Sequence, residues 1–181
     1  ITSVLQGKTS NYETDLFQPI IKEIESRSEV SYFENPVPFQ VIADHIRMLC
    51  FSIADGALPS NEGRGYVLRR ILRRASRFGR VLKLDEPFLH KLVNTVCDLM
   101  SDAYPELNEK STHIKLVIGT EETLFNKTLG RGINHLEKLI DSIGNEKVIS
   151  GDDAFKLYDT YGFPIDPVSY THLRAHETRS D

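Results

Sequence analysis

Gly65-Tyr-Val-Leu-Arg-Arg-Ile-Leu-Arg-Arg-Ala-Ser-Arg-Phe-Gly-Arg80 decides how this chain is read. A helix advances about 100° per residue, so the stretch can be set on a wheel with Leu68 at zero. Val67, Leu68, Ile71, Leu72, Ala75, Phe78 and Leu82 then fall within an arc from about 260° through 0° to about 40°. Arg69, Arg70, Arg73, Arg74, Arg77 and Arg80 fall between about 100° and about 240°. The spacing predicts a helix with one core-facing side and one side of six guanidinium groups.

That face is out of character with the rest of the chain. The 181 residues carry a net charge of −4, yet seven arginines lie between Arg64 and Arg80, and no acid stands between Glu62 and Asp85. Like charges four residues apart, such as Arg69/Arg73, Arg70/Arg74 and Arg73/Arg77, each cost roughly 0.2–0.5 kcal/mol. Three partners could relieve them: a polyanion such as nucleic acid, acids brought from elsewhere in the fold, or a membrane surface. The membrane is the weakest of the three, because the apolar face is ordinary core material without Trp anchors. Guanidinium groups pair with phosphate oxygens through a planar fork, which suits Arg to a nucleic-acid partner.

Helical periodicity extends outward from this segment. Thr14 or Asp15 is placed to cap a helix carrying Leu16, Phe17, Ile20, Ile21 and Ile24. Glu34–Pro38 reads as a rigid connector, and a helix is predicted from about Phe39 to Ala54, closed by Gly56. Beyond the arginine helix, Glu86–Ala103 and Asn108–Ser142 each carry an apolar stripe. In the second, the stripe runs through Ile114, Val117, Ile118, Leu124, Phe125, Leu129 and Ile133 to Ile140. Ser150-Gly-Asp-Asp153 resembles a capping box opening a short helix ended by Gly162 and Pro164. The expectation is a mostly α chain of about six helices, without strands or internal repeats.

Composition, 40% hydrophobic and 27% charged, is that of a globular protein. Cys50 and Cys97 sit in apolar helical patterns and read as buried free thiols in a reducing compartment. No apolar run long enough to span a bilayer and no signal-peptide pattern is evident. The chain starts at Ile, which suggests processing or a piece of something longer.

Ile42-Ala-Asp-His-Ile-Arg47, Ile53-Ala-Asp-Gly56 and Pro59-Ser-Asn-Glu-Gly-Arg-Gly-Tyr-Val-Leu-Arg-Arg-Ile-Leu-Arg-Arg74 together resemble the central signature of the alanine–tRNA ligases. Leu157-Tyr-Asp-Thr-Tyr-Gly-Phe-Pro164 resembles a second signature of that family, and Ile1–Phe17 is similar to the segment after its third class II motif. The resemblance covers Ile1 to about Asp166. It implies that residues 1–35 are the edge of a class II aminoacylation domain, a short remnant at the N-terminus. Residues 36–166 would then be a helical bundle-like domain that grips the tRNA acceptor stem. The family uses ATP and Mg²⁺ to activate alanine and esterify it to tRNA in the cytoplasm. No catalytic residue and no metal ligand of that chemistry can be located in this chain, so neither cofactor is expected to bind it alone.

The resemblance further implies reading of a G·U wobble pair. Such a pair leaves the guanine 2-amino group without a partner-base acceptor, exposed in the wide minor groove of A-form RNA. The family pattern places base reading on Asn61 and Asp159, and backbone binding on Arg64, Arg69, Arg70, Arg73, Arg74 and Arg77. The plainer alternatives are a loop or N-cap role for Asn61 and a surface acid for Asp159. An acid near a helix C-terminus is disfavoured by the helix dipole, which fits a contact role. The rival to an enzyme fragment is a free-standing helical RNA-binding or scaffold module.

Asp44-His45 reads as a hydrogen-bonded structural pair, and His90, His113 and His135 as isolated surface residues. His172 and His176 have metal-ligand spacing, but they belong to a polar stretch, residues 167–181, where the family pattern stops. That stretch is expected to be a disordered non-family tail.

Overall fold

The computed structural model describes residues 1–143 and 149–161. These form two compact units, Ile1–Leu124 and a second beginning at Phe125. Among the described residues there are eight α-helices and no strand. Helix α1 is Thr2–Leu5, α2 Gln18–Arg27, α3 Pro36–Ala54 and α4 Gly63–Val81. Then come α5 Val93–Met100, α6 Glu106–Glu109, α7 Ser111–Ile143 and α8 Gly151–Asp159. Six of them have eight residues or more. Short 3₁₀ turns at Asn11–Glu13 and Leu89–Leu92 complete the set.

The first unit is built around α3. Ile42, Ala43, Ile46, Leu49 and Cys50 are fully buried on it, and α3 packs most extensively against α4 through Leu68, Leu72 and Ala75. Apolar residues three and four apart produce this seam on both helices. Ile20, Ile21 and Ile24 of α2 and Val93 and Val96 of α5 enter the same core, as do Ile114 and Ile118 from the start of α7. The residues before Pro36 therefore share a core with those after it. Helix α3 is also long and apolar enough by composition to cross a membrane, which the sequence did not suggest. Nine of its residues are buried inside the protein, and it carries Asp44, His45 and Arg47.

Several boundaries differ from expectation for local reasons. Thr14 does not cap α2; its hydroxyl donates to the Asn11 carbonyl at 2.6 Å, and the N-cap is Phe17. Pro36 and Pro38 belong to the first turn of α3, where a missing N–H is harmless. The predicted Glu86–Ala103 helix starts only at Leu89, as a 3₁₀ turn that passes into α5. The N–H groups of its N-cap, Phe88, and of Leu89 are taken by the Glu122 carboxylate. The predicted Asn108–Ser142 helix is two elements parted at Lys110, whose ammonium donates to the Ala54 carbonyl at 2.6 Å. In the second unit, Ser150 caps α8 as predicted, its hydroxyl accepting from the Asp153 N–H at 3.1 Å. Val67 and Leu124, placed on core stripes by periodicity, are half exposed. Cys50 and Cys97 are free and buried, and burial pushes both thiols up. Residues 167–181, with His172 and His176, lie outside the described residues.

Candidate nucleic-acid interface

The loop between α3 and α4 is shaped by two glycines, Gly63 through its backbone conformation and Gly65 through close packing. Ser60 donates its hydroxyl to the Glu62 carbonyl at 2.8 Å and accepts from the Glu62 N–H at 3.4 Å, tightening the turn. Gly63 then enters the helix at φ +56°, in the left-handed region that favours glycine. At Gly65 a Cβ would lie 2.2 Å from Ser60 Oγ and 2.3 Å from the Leu58 carbonyl oxygen. The loop lies on the first turn of α4 only because position 65 has no side chain. Glu62, rather than Asn61, is the N-cap, and it offers no side-chain bond.

With this scaffold in place, the arginine face divides. Arg69 meets Glu121 of α7 side-on: Nε lies 2.8 Å from Oε1, and Nη2 donates to Oε2 at 3.2 Å. Arg73 Nη2 approaches the same Oε1 at 3.6 Å. Burial lowers the pKa of the Arg73 guanidinium, and Glu121 opposes that shift by favouring the charged form. Arg80 reaches Asp85 at 3.5 Å. Arg77 is half-buried.

Arg64, Arg70 and Arg74 are exposed. Two of them are braced along the helix by aromatic rings four residues away. Arg70 lies over Tyr66 at 5.8 Å from the ring centroid, and Arg74 over Phe78 at 5.9 Å. Such bracing holds a guanidinium outward while leaving its N–H groups for an external acceptor.

Asn61 is exposed but tethered: its Oδ1 accepts a hydrogen bond from Arg69 Nη1. The loop residue and the arginine helix are thus one assembly, with Glu121 behind both. Asp159 is the last residue of α8, at the helix end the sequence predicted, and its side chain lies outside the described residues. Asp159 belongs to the second compact unit and Asn61 to the first.

Sequence reasoning passed over Glu121 and Glu122. Both are buried, at 8% and 0% exposure. A signal did exist: they stand between Ile118 and Phe125, where the stripe of α7 calls for an apolar residue. Two acids at a core position of a helix call for internal partners. The sequence also misjudged His90, which is half-buried with Nδ1 4.0 Å from Glu122. Asp44 and His45 do pair, at 3.4 Å, although burial still lowers the imidazole's pKa. Among the described residues no three His, Cys, Asp or Glu side chains gather in a way that could hold a metal ion.

Comparison with known proteins agrees with the motifs. The family described as tRNA synthetases class II (A) matches residues 1–177. An alanine–tRNA ligase of Staphylococcus epidermidis is 56% identical over 170 residues, 92% of this chain. Those of Halalkalibacterium halodurans and Magnetococcus marinus are 53% and 54% identical over 171 and 170 residues, again 92% of the chain. This chain spans about a fifth of the length of these relatives, 19–20%. On the strength of a match that runs over nearly its whole length, this chain belongs to the class II tRNA synthetases (A), and its similar relatives are alanine–tRNA ligases.

Proposed function

We propose that this chain is the acceptor-stem-binding portion of an alanine–tRNA ligase, a cytoplasmic enzyme that attaches alanine to tRNA at the expense of ATP. In this reading residues 36–166 recognise the stem and residues 1–35 edge the aminoacylation domain. ATP and Mg²⁺ serve the whole enzyme. Among the described residues no three His, Cys, Asp or Glu side chains form a cluster for the metal.

The observation that carries the reading is the division of the arginine face. Arg64, Arg70 and Arg74 stay exposed on a helix whose other arginines are partly covered, and the exposed Asn61 is bonded to that same helix. Exposed guanidinium groups suit phosphates, whose contacts set register without carrying sequence. Sequence is then left to Asn61 and Asp159. A carboxylate such as Asp159 suits the unpaired 2-amino group of a wobble guanine, because it can only accept.

Titration of the chain with an acceptor-stem duplex containing G·U, and with its G·C counterpart, tests this. Tighter binding of the wobble stem is expected, with log affinity falling linearly against log salt. Asn61→Ala and Asp159→Ala should each erase the preference. Equal binding of the two stems by the unaltered chain would overturn the reading.

A further inference from the structure

Tyr66 stands inside the arginine face rather than at its edge. With Leu68 at zero it falls at about 160° on the wheel, with Arg73 at about 140° on one side and Arg70 at about 200° on the other. It is 41% exposed, and the Arg70 guanidinium lies over its ring at 5.8 Å from the centroid. Bracing an arginine does not require such exposure. On the same helix Arg74 lies over Phe78 at 5.9 Å, and that ring packs against the core. A phenol ring carries no charge for a phosphate, so its place among exposed guanidinium groups calls for a different contact.

We propose that Tyr66 and the Arg70 guanidinium beside it form a stacking platform for an unpaired RNA base adjoining the acceptor stem. This rests on the reading that the α4 face binds the stem, and adds a contact to RNA outside the duplex. Within a duplex each base is covered on both faces by its neighbours, so an exposed ring finds no free surface there. An unpaired base offers its flat face, and aromatic rings and guanidinium planes are the groups on which such bases stack. Arg64 and Arg74, exposed on the same helix, suit the neighbouring phosphates. The ring adds what a phosphate contact cannot: an increment in affinity that salt does not screen.

The test compares a blunt acceptor-stem duplex with the same duplex carrying a short unpaired 3′ extension. The 181-residue chain should bind the extended stem more tightly. Tyr66→Leu should cut that advantage by about fivefold or more, the scale of one base–aromatic stack, and leave binding of the blunt stem unchanged. Tyr66→Phe should keep the advantage. Equal losses for both stems in Tyr66→Leu would place the ring on the duplex. A Tyr66→Phe loss as large as that of Tyr66→Leu would assign the contact to the hydroxyl, and either result overturns the proposal. If the unaltered chain binds the blunt stem but gains nothing from the extension, the proposal fails alone. If it binds neither stem, the reading of the α4 face fails first and the platform with it.

Two readouts separate stacking from charge. Stacking releases no counterions, so the loss caused by Tyr66→Leu on the extended stem should be the same at low and at high salt. A loss that fades with salt would mean that Tyr66 acts only by holding Arg70 toward a phosphate, which overturns the platform. The chain contains no tryptophan, so Tyr66→Trp sets a single indole at this position. Its fluorescence should be quenched by the extended stem and little changed by the blunt one, with tight binding of the extended stem retained. Equal quenching by both stems would overturn the proposal.

Discussion

Glu122 makes a prediction in pH. Its side chain is fully buried in the first unit, where its two oxygens accept from the Phe88 N–H at 3.1 Å and the Leu89 N–H at 3.0 Å. These donors open the 3₁₀ turn leading into α5, a place where an acid is favoured by unsatisfied N–H groups. Burial nevertheless outweighs the hydrogen bonds and the nearby Lys91, and raises the carboxyl from 4.5 to about 7. A raised folded pKa means that the native chain keeps a proton the unfolded chain has already released. Stability is then greatest below the unfolded value and falls as pH rises from about 4.5 to about 7. At about 1.36 kcal/mol per pH unit, the fall attributable to Glu122 is about 3 kcal/mol.

Glu122→Gln removes this titration while keeping the shape. Its NH₂ group faces one of the two backbone donors, a fixed penalty of about 1–3 kcal/mol at every pH. The native chain should therefore be the more stable protein at pH 4.5, and its advantage should shrink by about 3 kcal/mol by pH 8. Urea unfolding of both proteins across this range, followed by circular dichroism, measures the difference directly. His90 has the opposite trend, since burial, Lys91 and Arg27 lower its pKa and favour the neutral ring. That contribution is present in both proteins and largely drops out of the difference. Parallel stability curves would refute the reasoning. A native advantage that grew with pH would show that the backbone N–H groups, not burial, dominate Glu122.

Three further substitutions separate grip from placement. Arg70→Ala and Arg74→Ala should each reduce the salt slope of RNA binding by about one and leave the G·U preference intact. Stability should stay within about 0.5 kcal/mol, since both side chains are exposed; an unchanged slope for both would remove them from the phosphate contacts. Gly65→Ala pushes a methyl group into Ser60 Oγ and the Leu58 carbonyl, so the loop carrying Asn61 must move. It should lower stability by about 1–3 kcal/mol in urea unfolding and reduce wobble preference without changing the salt slope. Native discrimination in this variant would separate loop placement from reading.

The seam of the fold was legible because it rests on periodicity. Ile42, Ile46 and Leu49 on α3 and Leu68 and Leu72 on α4 are spaced by threes and fours, and all are buried where that spacing puts them. Helix ends were less legible, because the groups that terminate them come from afar. Pro87 biases Glu86 away from helical backbone, but the carboxylate that takes the Phe88 and Leu89 N–H groups stands more than thirty residues later, on α7. Nothing near Asn108 says that Lys110 will reach back to the Ala54 carbonyl and part α6 from α7.

The candidate site was legible in composition and illegible in arrangement for the same reason. Six guanidinium groups on one face with no local acid left three solutions open: an external polyanion, acids from elsewhere in the fold, or a membrane surface. The fold adopts the second for part of the face: Glu121 engages Arg69 and Arg73, and Asp85 lies beside Arg80. Glu121 and Glu122 are sequence neighbours about 100° apart on their helix. One turn of α7 therefore serves two tasks, with Glu121 bracing α4 and Glu122 closing the entry to α5. A carboxylate at such a position is costly to bury unless it is held by several donors, and each of these is. Arg69 is thereby tied to the fold on two sides, Nη2 donating to Glu121 and Nη1 to Asn61. The charge excess announced by the sequence is thus larger than the exposed charge that the fold leaves on this face, at Arg64, Arg70 and Arg74.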